Sequence, residues 1–338
     1  MKKIFIHSGL HKTGTTALQA MLFKNRKNLS VQDFYYPSSG IPRNFYGHHN
    51  IAWQISRDRR FRSEFGDLRA LLKEIEGIGK SKIVLSSEDF ECSLLYPNRL
   101  KKINDYFLSN DIKVCFIIYL RNQVDYLNSL YFELLKVGLG DEFNKFCNQI
   151  ISTNKFAFKE WEFVFNYSDI PKSLESLADI EVIYRDYDDL IENNTVVDFC
   201  DVVGIDYKKL QMPQNRIRIN ERPRLNTLLK LFVKNRVRVL PEGILDNIDE
   251  LCKNENYDLL TPMNTRKIFS ELSKKNSFFK NKEIKNSYED KSNILNVEKV
   301  FSFETCGLIL NLKKLNENPN IKKQFIEKWH HWVKLSSN

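Results

Sequence analysis

Apolar and polar positions along this chain switch repeatedly between two spacings. At the start, Ile4, Phe5 and Ile6 make a short unbroken apolar run, which predicts a strand buried on both faces. From Thr15 onward the spacing changes. Ala17, Leu18, Met21 and Leu22 recur at helical intervals and predict a helix that ends near Asn28. The strand signature returns at Lys82–Ser87, at Lys113–Leu120 and at Ile180–Arg185. Helical stripes lie between and after these runs. One begins at Ile51. Another carries Val124, Leu127, Leu130, Tyr131, Leu134 and Leu135. Phe143, Phe146, Cys147 and Ile150 mark a stretch, 141–167, that reads as largely helical. Val196, Val197, Phe199, Cys200 and Val203 form a last stripe, closed by Gly204 as a helix-ending glycine. Buried strands alternating with helices predict an α/β protein with a mostly parallel sheet flanked by helices.

The turn between the first strand and the first helix carries the chemistry. Gly9 and Gly14 bound it, and a helix N-terminus follows. Free backbone N–H groups and the helix dipole make such a turn an anion site. Lys12 adds a full charge, and Thr15 and Thr16 add hydroxyls. The glycine spacing is that of a triphosphate-binding loop, G-x-x-x-x-G-K-[ST], but Thr15 stands where its lysine should be and the lysine lies inside the loop. That argues for a phosphate ligand other than ATP or GTP.

His11-Lys12-Thr13-Gly14-Thr15-Thr16 resembles the 5′-phosphosulfate loop of sulfotransferases that use 3′-phosphoadenosine-5′-phosphosulfate (PAPS). The resemblance implies that Lys12, Thr13, Gly14, Thr15 and Thr16 hold the phosphosulfate. A second segment, Tyr119 to Tyr131, resembles the family's 3′-phosphate segment, with Arg121 at a strand end and Ser129 two helical turns on. An arginine and a serine so placed can clamp one phosphate through charge-assisted bonds. Lys136 and Gly138 continue the likeness to bacterial members. Glu88 follows the second strand directly, where glycan-modifying members carry the glutamate that deprotonates the acceptor. His49, beside His48, is an alternative base, since some carbohydrate sulfotransferases use a histidine in this part of the chain. The role of Asp89 is not separable from that of Glu88 by sequence. The likeness extends over roughly residues 1–276 and implies a P-loop-like three-layer α/β fold. The family's frequent arginine-x-lysine-glycine segment is not evident. That leaves one part of cofactor binding unassigned. Arg216 and Arg218, in a later basic stretch, are candidates to contribute to the nucleotide or to an acidic acceptor, with Arg216 carried as a cofactor-binding candidate.

Composition changes this picture little. The chain has 338 residues, 42% hydrophobic and 28% charged, as globular proteins have. No apolar run approaches the ~20 residues of a membrane helix, and the anion loop follows too soon for a signal peptide. The six cysteines are scattered, without C-x-x-C, and read as buried thiols in a reducing compartment, so a cytoplasmic location is expected. No metal-ligand cluster is evident. A net charge of +9 suits an anionic partner. Between Lys208 and Arg238 ten residues are basic and one, Glu221, is acidic. The expected organisation is a PAPS-binding domain over residues 1–238, with a helical C-terminal extension over 239–338 packed on it.

The reaction this implies is sulfuryl transfer from PAPS to a hydroxyl, with a carbohydrate or glycan the expected acceptor, leaving 3′-phosphoadenosine-5′-phosphate. No metal and no nucleic acid take part in this reading, and a homo-oligomer is left open. Two other classes fit parts of the pattern. A P-loop-type kinase would share the strand, loop and helix. A non-catalytic polyanion-binding module would use the basic stretch and bind with steep salt dependence.

Overall fold

The computed structural model describes residues 1–170, 174, 177, 180–190, 194–212, 225–237 and 244–252, with positions 270, 323, 324, 326 and 327 beyond them. The chain forms two compact units. The first holds residues 1–122 and 159–219, and the second holds 123–158 with the described segments from 225 onward.

The first unit opens with β1 (Lys2–Gly9), α1 (Thr15–Lys24), α2 (Arg26–Val31) and β2 (Phe34–Tyr35). It continues with α3 (His49–Ser56), α4 (Leu68–Glu76), β3 (Lys82–Ser86), α5 (Glu91–Leu94), α6 (Pro97–Leu108) and β4 (Ile112–Leu120). The chain then passes through the second unit as α7 (Gln123–Lys136), α8 (Phe143–Thr153) and β5 (Lys155–Phe158). It returns as β6 (Trp161–Val164), β7 (Ile180–Asp186) and α9 (Thr195–Val203). The second unit ends its described part with α10 (Leu225–Arg236) and α11 (Ile244–Leu251).

The fold class is α/β, with a parallel sheet flanked by helices as the pattern predicts. Five strands pair in the order β2-β3-β1-β4-β7, all parallel. Burial on both faces explains why β1, β3 and β4 are nearly continuous apolar runs. Register sorts their side chains. Phe5 pairs with Val84 and with Cys115, and these join Ile117 and Tyr119 in the core on one face. Leu18, Met21 and Leu22 of α1 and Val196, Phe199, Cys200 and Val203 of α9 cover that face. Each of the fully buried α1 side chains contributes about 1.5–3 kcal/mol by leaving water. The same register matches His7 to Ser86 and Gly9 to Tyr119. The turns after β1, β3 and β4 therefore open at one edge of the sheet. From β1 the chain crosses to β2 and β3 on one side and then to β4 and β7 on the other, so the carboxyl end of β1 is at the switch point where open α/β sheets bind ligands.

Two helical expectations give way. The first helix stops at Lys24 instead of running to Asn28, and α2 begins after Asn25. Asn25 is drawn into tertiary bonds: its amide donates to Met21 O and Gln211 O, and its carbonyl accepts from Gln211 N. Residues 141–167 are helical only over Phe143–Thr153 and then form β5 and β6. Asn154 turns the chain in the left-handed region, φ +58°, which asparagine tolerates better than most residues.

In the second unit, the apolar stripe of α7 is buried as its spacing predicts, α10 packs against α7, and Leu228, Leu229 and Phe232 of α10 are buried. Tyr131 sits against Phe143 and Phe146 of α8 and donates its hydroxyl to Asp141 O at 2.9 Å. The cysteines among the described residues are free, and four of them, Cys92, Cys115, Cys147 and Cys200, are buried. Among the described residues no helix is long and apolar enough to cross a membrane. Most of 239–338, the expected extension, lies outside the described residues.

Candidate active site

The turn at residues 10–14 is shaped by what its carbonyls do. Leu10 O accepts the Thr13 hydroxyl at 2.6 Å. Lys12 O accepts Arg121 Nη1 at 3.0 Å. Thr13 O accepts the Thr195 hydroxyl at 2.8 Å, and Gly14 O accepts the amides of Ala17 and Leu18. Four carbonyls are thus engaged by donors. The amides of Thr13, Gly14, Thr15 and Thr16 find no acceptor among the described residues. A loop with its acceptors tied down and its donors open, ahead of a ten-residue helix, is built for an anion.

The two glycines are there for space and conformation. A Cβ on Gly9 would lie 2.4 Å from Thr13 Oγ1, and one on Gly14 would lie 2.6 Å from Thr195 Oγ1. Gly14 also has φ +80°, and Lys12 has φ +70° despite its side chain, a conformation that costs about 1–2 kcal/mol. The bonds to Arg121 and Thr195 from outside the loop hold it there. Thr13 is fully buried and its hydroxyl faces the loop's own backbone, so its amide is the part that can meet a ligand. Thr15 is buried and Thr16 exposed, and both hydroxyls lack a partner among the described residues.

Arg121 follows β4 and reaches the loop through its bond to Lys12 O. Its guanidinium also lies 5.4 Å from the Tyr187 ring, and the Tyr167 hydroxyl donates to Arg121 O at 2.9 Å. The two anion-binding residues expected from separate motifs, Lys12 and Arg121, are therefore neighbours. Ser129 falls on α7, in the second unit. Arg216 and Arg218 lie outside the described residues.

A second cluster adjoins the loop. Glu88 opens a 3₁₀ turn after β3 and is half-buried. Gln19 of α1, itself buried, donates to Glu88 Oε2 at 2.7 Å. Asp89, buried, accepts His49 Nδ1 at 2.9 Å and Trp53 Nε1 at 2.9 Å, with Arg60 Nη2 at 3.3 Å. Ser87 Oγ also lies 2.9 Å from His49 Nδ1. A carboxylate on Nδ1 makes that nitrogen the protonated one, so the lone pair of neutral His49 is on Nε2. His49 Nε2 has no partner among the described residues.

Electrostatics separates these groups. Burial would lower the His49 pKa, but Glu88 and then Asp89 outweigh it and raise it above 6.5. Burial would raise the Glu88 carboxyl, yet His49 and His11 hold it below the usual range. Burial likewise pushes Asp89 up, and its bond to His49 together with the charges of His49, His11 and Arg60 pulls it well down. A histidine oriented by a carboxylate, with its other nitrogen unpartnered among the described residues and its pKa raised by the neighbouring carboxylates, is equipped to take a proton.

His48 is not so equipped. It is fully buried, its Nδ1 accepts the Ser86 amide at 3.2 Å, and its Nε2 meets Pro37 O at 3.2 Å. Both ring nitrogens are used, and burial holds its pKa down to about 3. The aromatic residues of the segment between β2 and α3 divide in the same way. Tyr36 is buried and donates to Tyr46 O at 2.9 Å. Phe45 and Tyr46 are 46% and 40% exposed, and the Phe45 ring lies 4.9 Å from the His49 ring.

Several members of this site were not legible beforehand. Nothing local assigned a role to Gln19, Thr195 or Tyr187, because each reaches the site through tertiary structure. One signal was available for Glu91, since three acids fall within four positions directly after a buried strand.

No protein-family model matches the chain, and no curated protein matches it in sequence. The structure is similar to the crystal structure of a sulfotransferase from Alicyclobacillus acidocaldarius at 19% identity and a TM-score of 0.38, over 70% of this chain and 93% of that one. Likeness at that level decides nothing about chemistry, which has to come from the residues.

Proposed function

We propose that this chain is a PAPS-dependent sulfotransferase that acts on a hydroxyl acceptor, with a carbohydrate the favoured class. One observation carries the reading. An anion loop with engaged carbonyls and open amides lies beside a His49–Asp89 pair whose Nε2 has no partner among the described residues. Such a site receives a phosphorylated group and takes a proton from whatever stands opposite it.

The residues fit the nucleotide. The amides of Thr13 to Thr16, the hydroxyls of Thr15 and Thr16, and the Lys12 ammonium would hold the 5′ end. Arg121 is the candidate for the 3′-phosphate, with Ser129 and Arg216 carried as further candidates. When bound, PAPS supplies an activated sulfuryl group on a good phosphate leaving group. Lys12 and the loop amides stabilise negative charge that grows on the bridging oxygen. His49 takes the acceptor proton on Nε2, Asp89 fixes its tautomer, and Glu88 stabilises the imidazolium that forms. Gln19 keeps Glu88 in place. Phe45 offers an exposed ring next to His49, as suits a sugar face. A kinase reading is less favoured, because Thr15 stands where the phosphate-reaching lysine belongs.

Nucleotide binding tests this directly. At about 100 times its Kd, 3′-phosphoadenosine-5′-phosphate should add about 2.7 kcal/mol of stability and raise the melting temperature, while MgATP should not. Arg121→Ala should weaken that binding by about 1.5–3 kcal/mol, the worth of a hydrogen bond to a charged group. Stabilisation by MgATP alone would favour the kinase. Heparin binding with a steep salt slope, intact in Lys12→Ala, would favour the polyanion module.

A further inference from the structure

His11 stands immediately before the loop lysine, and the proposed chemistry leaves it without a role. Its ring is held from one side. Nδ1 lies 2.8 Å from Glu91 Oε2, and the His11 amide donates to the same oxygen at 3.1 Å. Glu91 is fully buried, and its other oxygen accepts the Val164 amide at 2.8 Å. The Phe163 ring meets the imidazole edge-on at 5.0 Å. A carboxylate taken wholly out of water needs a positive partner, so this pair favours the imidazolium. With Nδ1 committed to Glu91, Nε2 has no partner among the described residues.

The position of His11 is the second observation. Its backbone belongs to the anion loop, yet its charge is felt across the site. It acts on Glu88 and Asp89, lowering both, and on His49. Burial works against its own charge, but the bond to Glu91 and the fields of Glu91, Asp89 and Glu88 win, and its pKa lies above 6.5. Arg121, in contrast, touches the loop at Lys12 O and flanks Tyr187. His11 therefore lies between the phosphate-holding backbone and the groups that handle the acceptor proton.

We propose that His11, held by Glu91, is a cationic donor to the group in transit: its Nε2–H bonds an oxygen of the sulfuryl moiety and adds little to nucleotide affinity. This rests on the sulfotransferase reading. As the sulfur–oxygen bond to the 5′-phosphate breaks and the bond to the acceptor oxygen forms, the acceptor proton goes to His49. His11 keeps its own proton throughout and stabilises negative charge on the sulfuryl oxygens.

The test separates transfer from binding. His11→Gln should lower kcat by about 10²-fold or more, in the range for loss of one preorganised donor, with affinity for 3′-phosphoadenosine-5′-phosphate within about twofold of wild type. His49 must be without its proton and His11 must keep its own, so wild-type kcat should pass through a maximum with pH, and the alkaline limb should be missing in His11→Gln. Glu91→Gln should lower the His11 midpoint and kcat together. Apart from activity, NMR titration of the histidines with inorganic sulfate should move the His11 midpoint upward, the resonance being the one lost in His11→Gln. Unchanged kcat in His11→Gln, a parallel loss of product affinity, or a midpoint indifferent to sulfate would each overturn the proposal. If the wild type neither binds the nucleotide nor transfers, the enzyme reading fails by itself, and the sulfate titration still decides whether His11 is an anion donor.

Discussion

The glycine-bounded loop proposed to hold the anion and the cluster proposed to handle the acceptor proton sit side by side and are built in opposite ways. The loop is one contiguous segment, residues 9–16, and its working groups are mostly main-chain amides. Its carbonyls are turned to Thr13, Arg121 and Thr195. The cluster is made of side chains gathered from α1, from α3 and from the turn after β3. A main-chain site depends on conformation and tolerates side-chain change except where a charge or a glycine is required. A side-chain site depends on mutual electrostatics, and each member sets the protonation of the others. Damage to the first should remove binding and turnover together, whereas damage to the second should remove turnover alone.

Lys12→Ala breaks the comparison at its strongest point. Alanine keeps a Cβ in the same left-handed conformation, so folding should be unaffected and the melting temperature unchanged. Transfer should fall about 10³-fold, the upper range for losing one stabiliser of developing charge, and product affinity should fall with it. Turnover at the wild-type rate would place the anion elsewhere.

Substitutions in the cluster come next in size. His49→Asn should cost ~10²-fold or more in kcat, Asp89→Asn should follow it, and both should spare affinity for 3′-phosphoadenosine-5′-phosphate. Glu88→Gln should cost less, because its carboxyl is held low by His49 and His11 and its hydrogen bond to Gln19 can be kept. If Glu88→Gln proves the severe variant and His49→Asn the mild one, the glutamate takes the proton, as its place after β3 suggests from sequence.

The same contrast explains how much could be read in advance. The loop and the strands before it and after it are local patterns, so periodicity and glycine spacing revealed them, and Arg121 was named by its place at a strand end and the resemblance of its segment. The α/β class followed from strands alternating with helices. Glu88 and His49 could be named only as separate candidates, because the bond of His49 to Asp89 spans 40 positions and that of Gln19 to Glu88 spans 69. The break at Asn25 escaped notice for a related reason: the residue that stops α1 is held by Gln211, far along the chain. Helical periodicity likewise hid β5 and β6, since a short aromatic run satisfies either spacing.

The smallest effect expected concerns histidines, and it sharpens the contrast between charged and neutral groups. His7 and His48 are buried against Ser86 and other neutral partners, and burial holds them down to about 4 and about 3, from an ordinary 6.5. Unfolded, both would bind a proton near pH 6.5. Their contribution to stability is therefore whole above 6.5 and is lost as pH falls from there toward 4. His11 and His49 carry the opposite sign, being raised by carboxylates. Their contribution is whole below 6.5 and fades as pH rises through their folded values. Stability should peak near pH 6.5, with an acid limb set by the neutral pair and an alkaline limb set by the charged pair. Each histidine changes the slope by at most about 1.4 kcal/mol per pH unit. Denaturant midpoints measured from pH 4 to 8 would show this. His48→Gln should flatten the acid limb and leave the alkaline one alone, while His49→Asn should do the reverse. Equal effects of the two variants on both limbs would mean that the four rings titrate as one network, and the division drawn between main-chain loop and side-chain cluster would lose its electrostatic basis.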